Sequence, residues 1–175
     1  MLNELSTIAY EVTPLTMAVL ANTDEEGIRN TVVLEERRKY TVYTTPTKMI
    51  DEACKFFGSS LKGRLEGTKD ISKITHKAPI AIDPSSGMYF FPTASPSNKQ
   101  CSWIAHSHVK EINPIKKGKT EIVFKNDQRV IIHVSYGSML NQLQRTAQFR
   151  FSLDTRIKLL RDAMIEKENQ DWERK

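Results

Sequence analysis

The spacing of hydrophobic residues along the sequence changes near Gly137, from alternation to the spacing of a helix. This change constrains the fold more than any other feature. Before Gly137, alternating or β-branched runs separated by turn signals predict short strands. The predicted strands are residues 9–12, 17–21, 28–35, 40–44, 80–83, 88–91, 102–112, 120–125 and 129–135. After Gly137, apolar residues recur at helical spacing, first around Leu140 and then around Leu160. Strands followed by helices predict an α+β domain with a mixed or antiparallel sheet.

One central helix is predicted among the strands, at residues 46–57. Thr45 can cap it, Pro46 suits its first position, and Gly58 follows where a helix end favours positive φ. Its apolar positions predict one buried face, formed by Met49, Ile50, Ala53, Cys54 and Phe57.

The remaining segments predict a loop and a helical C-terminus. The glycines and charged residues of 58–77 predict a basic, glycine-rich loop. The helical spacing after Gly137 is interrupted at residues 151–154, which predicts two C-terminal helices with a break between them. We therefore expect a β-rich body at residues 1–137. Residues 138–175 would form a helical segment.

The charge of the chain is distributed unevenly. The sequence has 26 Lys and Arg residues against 21 Asp and Glu, a net charge of +5. Residues 1–27 contain five acids and no base, so the other residues carry 26 bases against 16 acids, or +10. This polarity suits either a surface that meets a polyanion or a solvated basic surface.

Two segments concentrate the bases. Residues 55–119 hold eleven bases and four acids, a net charge of +7, and their glycines let backbone NH groups approach an anion. Their glycine-rich stretch does not end in Gly-Lys-Ser/Thr and does not follow a strand, so it does not match a nucleotide-hydrolysing loop. Residues 142–161 hold five bases and one acid, which indicates either a DNA-reading helix or a solvated helix face.

A run of Cys and His residues leaves an enzyme open as an alternative. In a single strand at residues 102–112, His106 and His108 would point to the same face. Together with Cys101 and Cys54 they could bind zinc, or His106 could activate Cys101 as a nucleophile. Structural or DNA-contacting histidines are the third interpretation, since the spacing matches no familiar zinc ribbon or finger. Strand aromatics such as Trp103 could also stack on bases, as in a single-stranded nucleic-acid binder.

No segment predicts a membrane span or a signal peptide. The longest mostly apolar run near the N-terminus, residues 14–21, is far shorter than the roughly 20 residues that cross a bilayer. The two cysteines are 47 positions apart, which predicts reduced thiols. We expect a cytoplasmic protein that needs no cofactor.

Several motifs, taken together, are more specific than any charge count. Residues 50–60 read Ile-Asp-Glu-Ala-Cys-Lys-Phe-Phe-Gly-Ser-Ser, and residues 100–111 read Gln-Cys-Ser-Trp-Ile-Ala-His-Ser-His-Val-Lys-Glu. Between them lie Gly63-Arg64, Gly67-Thr68, Lys-Ile-Thr-His-Lys at residues 73–77, Asp83-Pro84 and Phe91-Pro92-Thr93. Over residues 10–149 the chain closely resembles the competence transcription factor (ComK) family of Gram-positive bacteria. The tail beyond residue 151 departs from the family pattern.

The resemblance implies a transcription activator and not an enzyme. Such an activator would recognise paired boxes of double-stranded A/T-rich DNA through the minor groove, bend the duplex, and turn on genes for DNA uptake. The implied partners are further copies of the chain, RNA polymerase and a proteolysis adaptor. Residues 1–137 would then be a DNA-binding body, residues 138–175 would serve oligomerisation or activation, and the protein would be located at the bacterial nucleoid. Reading the shape of a narrow groove would also explain why no recognition-helix motif is visible.

The candidate DNA contacts are inferred from charge and position. The first group lies in and after the glycine-rich stretch and comprises Lys62, Arg64, Lys69, Lys73 and Lys77. The second group lies elsewhere and comprises Lys99, His106, His108, Lys110, Arg145 and Arg150. Arg64→Ala is expected to weaken duplex binding and to flatten its salt dependence by about one counterion.

Overall fold

The computed structural model describes residues 12–173, so the strand predicted at residues 9–12 lies almost entirely outside the described residues. Nine strands and three helices occupy the described range. The strands are β1 (Thr16–Thr23), β2 (Arg29–Glu35), β3 (Lys39–Val42), β4 (Ile80–Asp83), β5 (Met88–Pro92), β6 (Trp103–Ala105), β7 (Val109–Lys116), β8 (Lys119–Phe124) and β9 (Arg129–Ile132). The helices are α1 (Pro46–Phe56), α2 (Leu61–Ser72) and α3 (Tyr136–Glu173). The predicted α+β class is confirmed.

The strands form two antiparallel sheets. The first has the order β3-β2-β1-β6-β5-β4, and the second has the order β7-β8-β9. The single strand predicted at residues 102–112 is wrong, because a 3-10 turn at His106–His108 separates β6 from β7. At this turn the chain leaves the first sheet and enters the second.

Both faces of the first sheet are buried. Helices α1 and α2 cover one face, where Phe90 and Trp103 meet Ile50 and Cys54. The second sheet and the start of α3 cover the other face, where Phe91 packs. Trp103, which could have stacked on bases in a single-strand binder, is buried, as are the other strand aromatics Tyr89, Phe90 and Phe91.

Helix α1 begins as predicted and ends one residue early. The Thr45 side chain accepts a hydrogen bond from Lys48 N, and Gly58 adopts a φ of 77°. Met49, Ile50 and Cys54 form the buried face. The predicted burial of Phe57 is wrong: it follows the last helical residue, so helical spacing no longer sets its direction, and it is 38% exposed.

The predicted loop at residues 58–77 is also wrong, because most of it forms helix α2. Ser60 caps this helix by accepting a hydrogen bond from Gly63 N at 3.0 Å. Leu61 and Leu65 then pack against the same core as α1. Each glycine inside a helix costs about 1 kcal/mol relative to alanine, and this packing offsets that cost. At position 63 a Cβ would lie 3.1 Å from Ser59 Oγ, so glycine also relieves crowding there.

The C-terminal part forms one continuous helix, α3, and not the two predicted helices. It contains neither proline nor glycine after Gly137, and Arg150 pairs with Asp154 across the expected break. Its 38 residues span about 57 Å. Residues up to Leu153 pack against the body, whereas residues 158–170 are exposed. Within residues 12–173, no helix combines the length and hydropathy of a membrane span.

Candidate nucleic-acid interface

A concave surface of about 930 Å³ lies where α1, α2 and two loops meet. The N-terminus of α1 and the face of α2 around Leu65 form one side. Residues 74–78 and 95–99 form the other side. The lysines that line it are Lys48, Lys62, Lys69, Lys77 and Lys99, against the two acids Asp51 and Glu66. We call this surface the lysine groove.

The lysines of the groove do not stabilise the fold through ion pairs within residues 12–173. All five are exposed, and none forms an ion pair with another residue in the described part of the chain. Asp51, in contrast, is already engaged: its hydrogen bond with Lys55, and then that with the Leu61 NH, lower the pKa of its carboxyl. The free charge of the groove is therefore strongly positive.

The groove also offers neutral donors. Thr45, Thr75, Ser95 and Asn98 line it beside the lysines. The N-terminus of α1 carries the partial positive charge of its unpaired backbone NH groups. Hydroxyl groups, amides and helix N-termini are common partners of phosphate oxygens, so the chemistry of the groove suits a sugar-phosphate strand.

Helix α3 fixes the wall of the groove that carries Lys77. Gln142 Nε2 donates to the Lys77 carbonyl at 3.0 Å and to the Pro92 carbonyl at 2.7 Å. Arg145 donates to the His76 carbonyl and, at 2.9 Å, to Gln142 Oε1. Arg145 thus lies behind the groove and holds its backbone in place. Sequence reasoning proposed Arg145 as a DNA contact and did not identify this bracing role.

Arg64 points away from the groove surface. Its Nη2 donates to the Ile82 carbonyl at 3.1 Å, and its Nε is buried without a partner in the described residues. The guanidinium therefore links α2 to β4.

We expect Arg64→Met to lower the free energy of unfolding by about 1–3 kcal/mol, because the Ile82 carbonyl loses a charged donor. Urea denaturation measures this loss, and the exposed Lys62→Met is its control. The salt dependence of DNA binding then tests the sequence-based prediction for Arg64. An unchanged salt slope in Arg64→Ala would remove Arg64 from the DNA contacts.

The other sequence-predicted contacts do not line the groove. Lys73 ends α2 with a φ of 62°, and its ammonium donates to the Asp70 carbonyl. Lys110 pairs with Asp127 at 2.7 Å. Arg150 lies over the Tyr89 ring and hydrogen-bonds Ser107. His108 is hydrogen-bonded to the Pro14 carbonyl at 2.7 Å. The structure brings together Lys62, Lys69, Lys77 and Lys99 from the predicted set.

The Cys and His residues do not converge. Cys54 and Cys101 are buried in the core, whereas His106 and His108 lie in the 3-10 turn. Within residues 12–173, no group of three or more His, Cys, Asp and Glu side chains is arranged to hold a metal ion. Burial raises the pKa of the Cys54 thiol to about 11 and also raises that of Cys101. Neither thiol has the lowered pKa that activates a cysteine nucleophile.

His106 makes stability depend on pH. Its Nδ1 is buried without a partner in the described residues, and burial, followed by the charges of Arg150 and Lys125, lowers its pKa below 6.5. The unfolded chain therefore takes up the proton first as pH falls. The resulting loss of stability begins below about pH 6.5 and stops growing below the folded-state pKa.

We expect the wild type to lose more unfolding free energy than His106→Gln between about pH 7.5 and pH 5.5, by up to about 1 kcal/mol. Urea denaturation at the two pH values measures the difference. His133→Gln, at an exposed histidine, is the matched control. Equal losses in wild type and His106→Gln would contradict the assignment.

Sequence reasoning missed Lys48 and the N-terminus of α1. The basic segment was counted from residue 55, so Lys48 was left out although it lies within the Thr45-Pro46-Thr47-Lys48 start of a predicted helix. The capping signal could have indicated an anion-binding helix end. That this end faces Lys99 depends on tertiary structure.

Two comparisons with known proteins agree. The family model described as "ComK protein" matches residues 7–158. A protein named "Competence transcription factor", from Bacillus subtilis (strain 168), is 40% identical over 149 residues, which cover 85% of this chain and 77% of that protein. No solved structure matches the chain.

Proposed function

The chain belongs to the ComK family and is a competence transcription regulator, and we propose that it activates its genes by binding paired A/T-rich boxes of double-stranded DNA. In this proposal the lysine groove holds the sugar-phosphate backbone beside the minor groove. The observation that carries it is the set of five exposed lysines, without ion pairs in the described residues, on one concave surface.

The spacing of the lysines supports a phosphate strand as the ligand. Lys62 and Lys69 are two turns apart on the same face of α2, about 10.5 Å along its axis. This distance equals the axial rise of about three nucleotides on one DNA strand. Lysines are also attracted to the enhanced negative potential of a narrow A/T-rich minor groove, so shape can be recognised without contacts to base edges.

The exposed end of α3 supports self-association. Ile157, Leu160 and Met164 follow one another at intervals of three and four residues, so they share one face of the helix. Leu160 and Met164 are 68% and 65% exposed. We propose that this face packs against the same face of a second copy.

The charge of α3 favours an antiparallel arrangement of the two copies. Residues 145–161 carry five bases and one acid, whereas residues 162–173 carry five acids and one base. Antiparallel packing places the basic part of one helix beside the acidic part of the other. Two copies would then present two lysine grooves to two boxes, which is the symmetry that paired boxes require.

The remaining partners follow from the family. We propose contact with RNA polymerase at the promoter, degradation through a proteolysis adaptor, and location at the nucleoid in the cytoplasm. No observation favours the enzyme alternative, since the thiols are buried and the Cys and His residues lie apart.

A mobility-shift titration tests the proposed function. The full chain is titrated with a duplex that carries two A/T boxes, with a duplex of scrambled box sequence, and with the single strands, all at one salt concentration. We expect the tightest binding to the box duplex and a dependence on box spacing that repeats with the helical turn. Equal affinity for all ligands would contradict sequence-selective duplex binding, and tighter single-strand binding would favour the single-strand alternative.

A further inference from the structure

Two consecutive phenylalanines at the end of α1 are exposed to solvent. Phe56 and Phe57 are 47% and 38% exposed, and their ring centroids lie 5.1 Å apart in an edge-to-face arrangement. Hydrogen bonds from Gly58 N to the Lys55 carbonyl and from Ser59 N to the Cys54 carbonyl fix the turn that follows. The two rings therefore form an apolar surface next to a hydrogen-bonded turn, and core packing does not explain their exposure.

The aromatic pair lies at the C-terminal end of α1, whose N-terminal half lines the lysine groove. Leu61 N donates to Asp51 Oδ1 at 2.9 Å, which places the start of α2 against the middle of α1. Both Leu61 and Asp51 line the groove. Phe57 and Leu61 are four positions apart in the sequence, a reach of at most about 14 Å. The backbone of Phe57 therefore lies within about 14 Å of Leu61, a residue that lines the groove.

We propose that Phe56 and Phe57 form a wedge that enters the minor groove and partly unstacks one base step of an A/T box. This proposal rests on the proposed function, because it requires a duplex in the lysine groove. The more exposed Phe56 ring leads, and the Phe57 ring supports its edge.

The chemistry of the surroundings favours DNA as the occupant of this surface. Apolar side chains such as phenylalanine and leucine act as wedges in minor-groove proteins, where unstacking a step costs a few kcal/mol and the resulting bend brings more DNA into contact. Here α1 carries the rings at one end and lines, with its other end, a groove with five lysines and two acids, a charge that complements a polyanion. Flexible pyrimidine–purine steps, which include TA, are those most easily kinked.

The experiment compares three variants with the wild type at saturating protein. They are the double variant Phe56→Ala/Phe57→Ala, the double variant Phe56→Leu/Phe57→Leu, and the control Phe151→Ala. Phe151 is 73% exposed and lies on α3, outside the groove and away from the apolar face of Leu160. End-to-end energy transfer in a one-box duplex reports the bend, and 2-aminopurine at the box centre reports unstacking.

We expect the alanine pair to lose at least half of the bend and most of the 2-aminopurine signal, whereas the leucine pair and Phe151→Ala keep both. The salt slope of binding should stay the same in all variants, since the lysines are unchanged. An unaltered bend in the alanine pair would overturn the wedge while leaving duplex binding in place. A leucine pair that behaves like the alanine pair would overturn it as well. Absence of duplex binding by the wild type would refute the proposed function itself.

Discussion

Replacing Lys62, Lys69 and Lys99 with alanine is expected to weaken binding to an A/T-box duplex by roughly 10²–10³-fold near 0.1 M salt. These lysines come from both sides of the groove and have no ion-pair partner within residues 12–173. Each neutralised phosphate releases about 0.9 counterion, so the slope of log K against log salt should fall in magnitude by about 2.7.

The hairpin between β7 and β8 provides the matched control. Lys116, Lys117 and Lys119 lie outside the groove, and their replacement by alanine changes the net charge by the same amount. We expect this variant to keep most of its affinity and its salt slope. A titration over a range of salt concentrations measures both quantities. Equal losses in the two triple variants would show that net charge alone drives binding, which would contradict a defined groove.

The triple variant should also fold normally. Alanine favours helix slightly more than lysine at positions 62 and 69, and it retains the Cβ at position 99. Unfolding by urea checks this point. Loss of affinity without loss of stability would separate a binding role from a structural one.

The sequence predicted the class of the fold because its strongest signals are local. Alternation predicted the strands, and Thr45, Pro46 and Gly58 predicted both ends of α1 to within a residue. These signals depend on neighbours within one or two turns of backbone. The predictions for α2 and for the strand across His106 failed because distant contacts decide those segments. Leu61 and Leu65 pack against residues of the first sheet. The chain turns at His106 because it passes there from the first sheet to the second.

The candidate site could be predicted from the sequence only in part. The charge count predicted DNA contacts within residues 55–119, but a count cannot distinguish an unpaired cation from one whose contacts stabilise the fold. The arginines of the predicted set, Arg64, Arg145 and Arg150, donate to carbonyl or hydroxyl oxygens of the protein. Within residues 12–173, the lysines of the groove make no such side-chain contact. A guanidinium has five donors in a rigid plane and suits such bracing contacts, whereas an exposed ammonium on a flexible stem can meet a phosphate as a point charge.

Helix α3 both supports the lysine groove and carries the proposed dimer contact. Gln142 and Arg145 on α3 hold the backbone of residues 76 and 77, which forms one wall of the groove. The same helix continues beyond the body as the proposed dimer contact. A rigid α3 would therefore fix the distance between two grooves, and spacing-dependent binding to paired boxes would follow from the length and packing of this helix.

Leu160→Glu is expected to convert the proposed dimer into a monomer. In a two-fold symmetric dimer both copies carry the substitution, so two buried leucines are lost from the contact. Burying one leucine contributes about 2 kcal/mol to the free energy of association. The loss of two such contacts raises the dimer dissociation constant by at least about 10³-fold, before the cost of desolvating a carboxylate is added. Sedimentation equilibrium should give the mass of one 20.1 kDa chain for the variant and twice that mass for the wild type.

Leu159→Glu is the control for this substitution. It introduces the same charge at a neighbouring exposed leucine that points about 100° away around the helix axis. We expect it to remain a dimer and to keep the spacing dependence of paired-box binding. Leu160→Glu should bind a single box through an intact lysine groove and lose that spacing dependence, because two grooves are no longer joined. A dimeric Leu160→Glu variant would place the contact between copies elsewhere and would separate α3 from the recognition of box pairs.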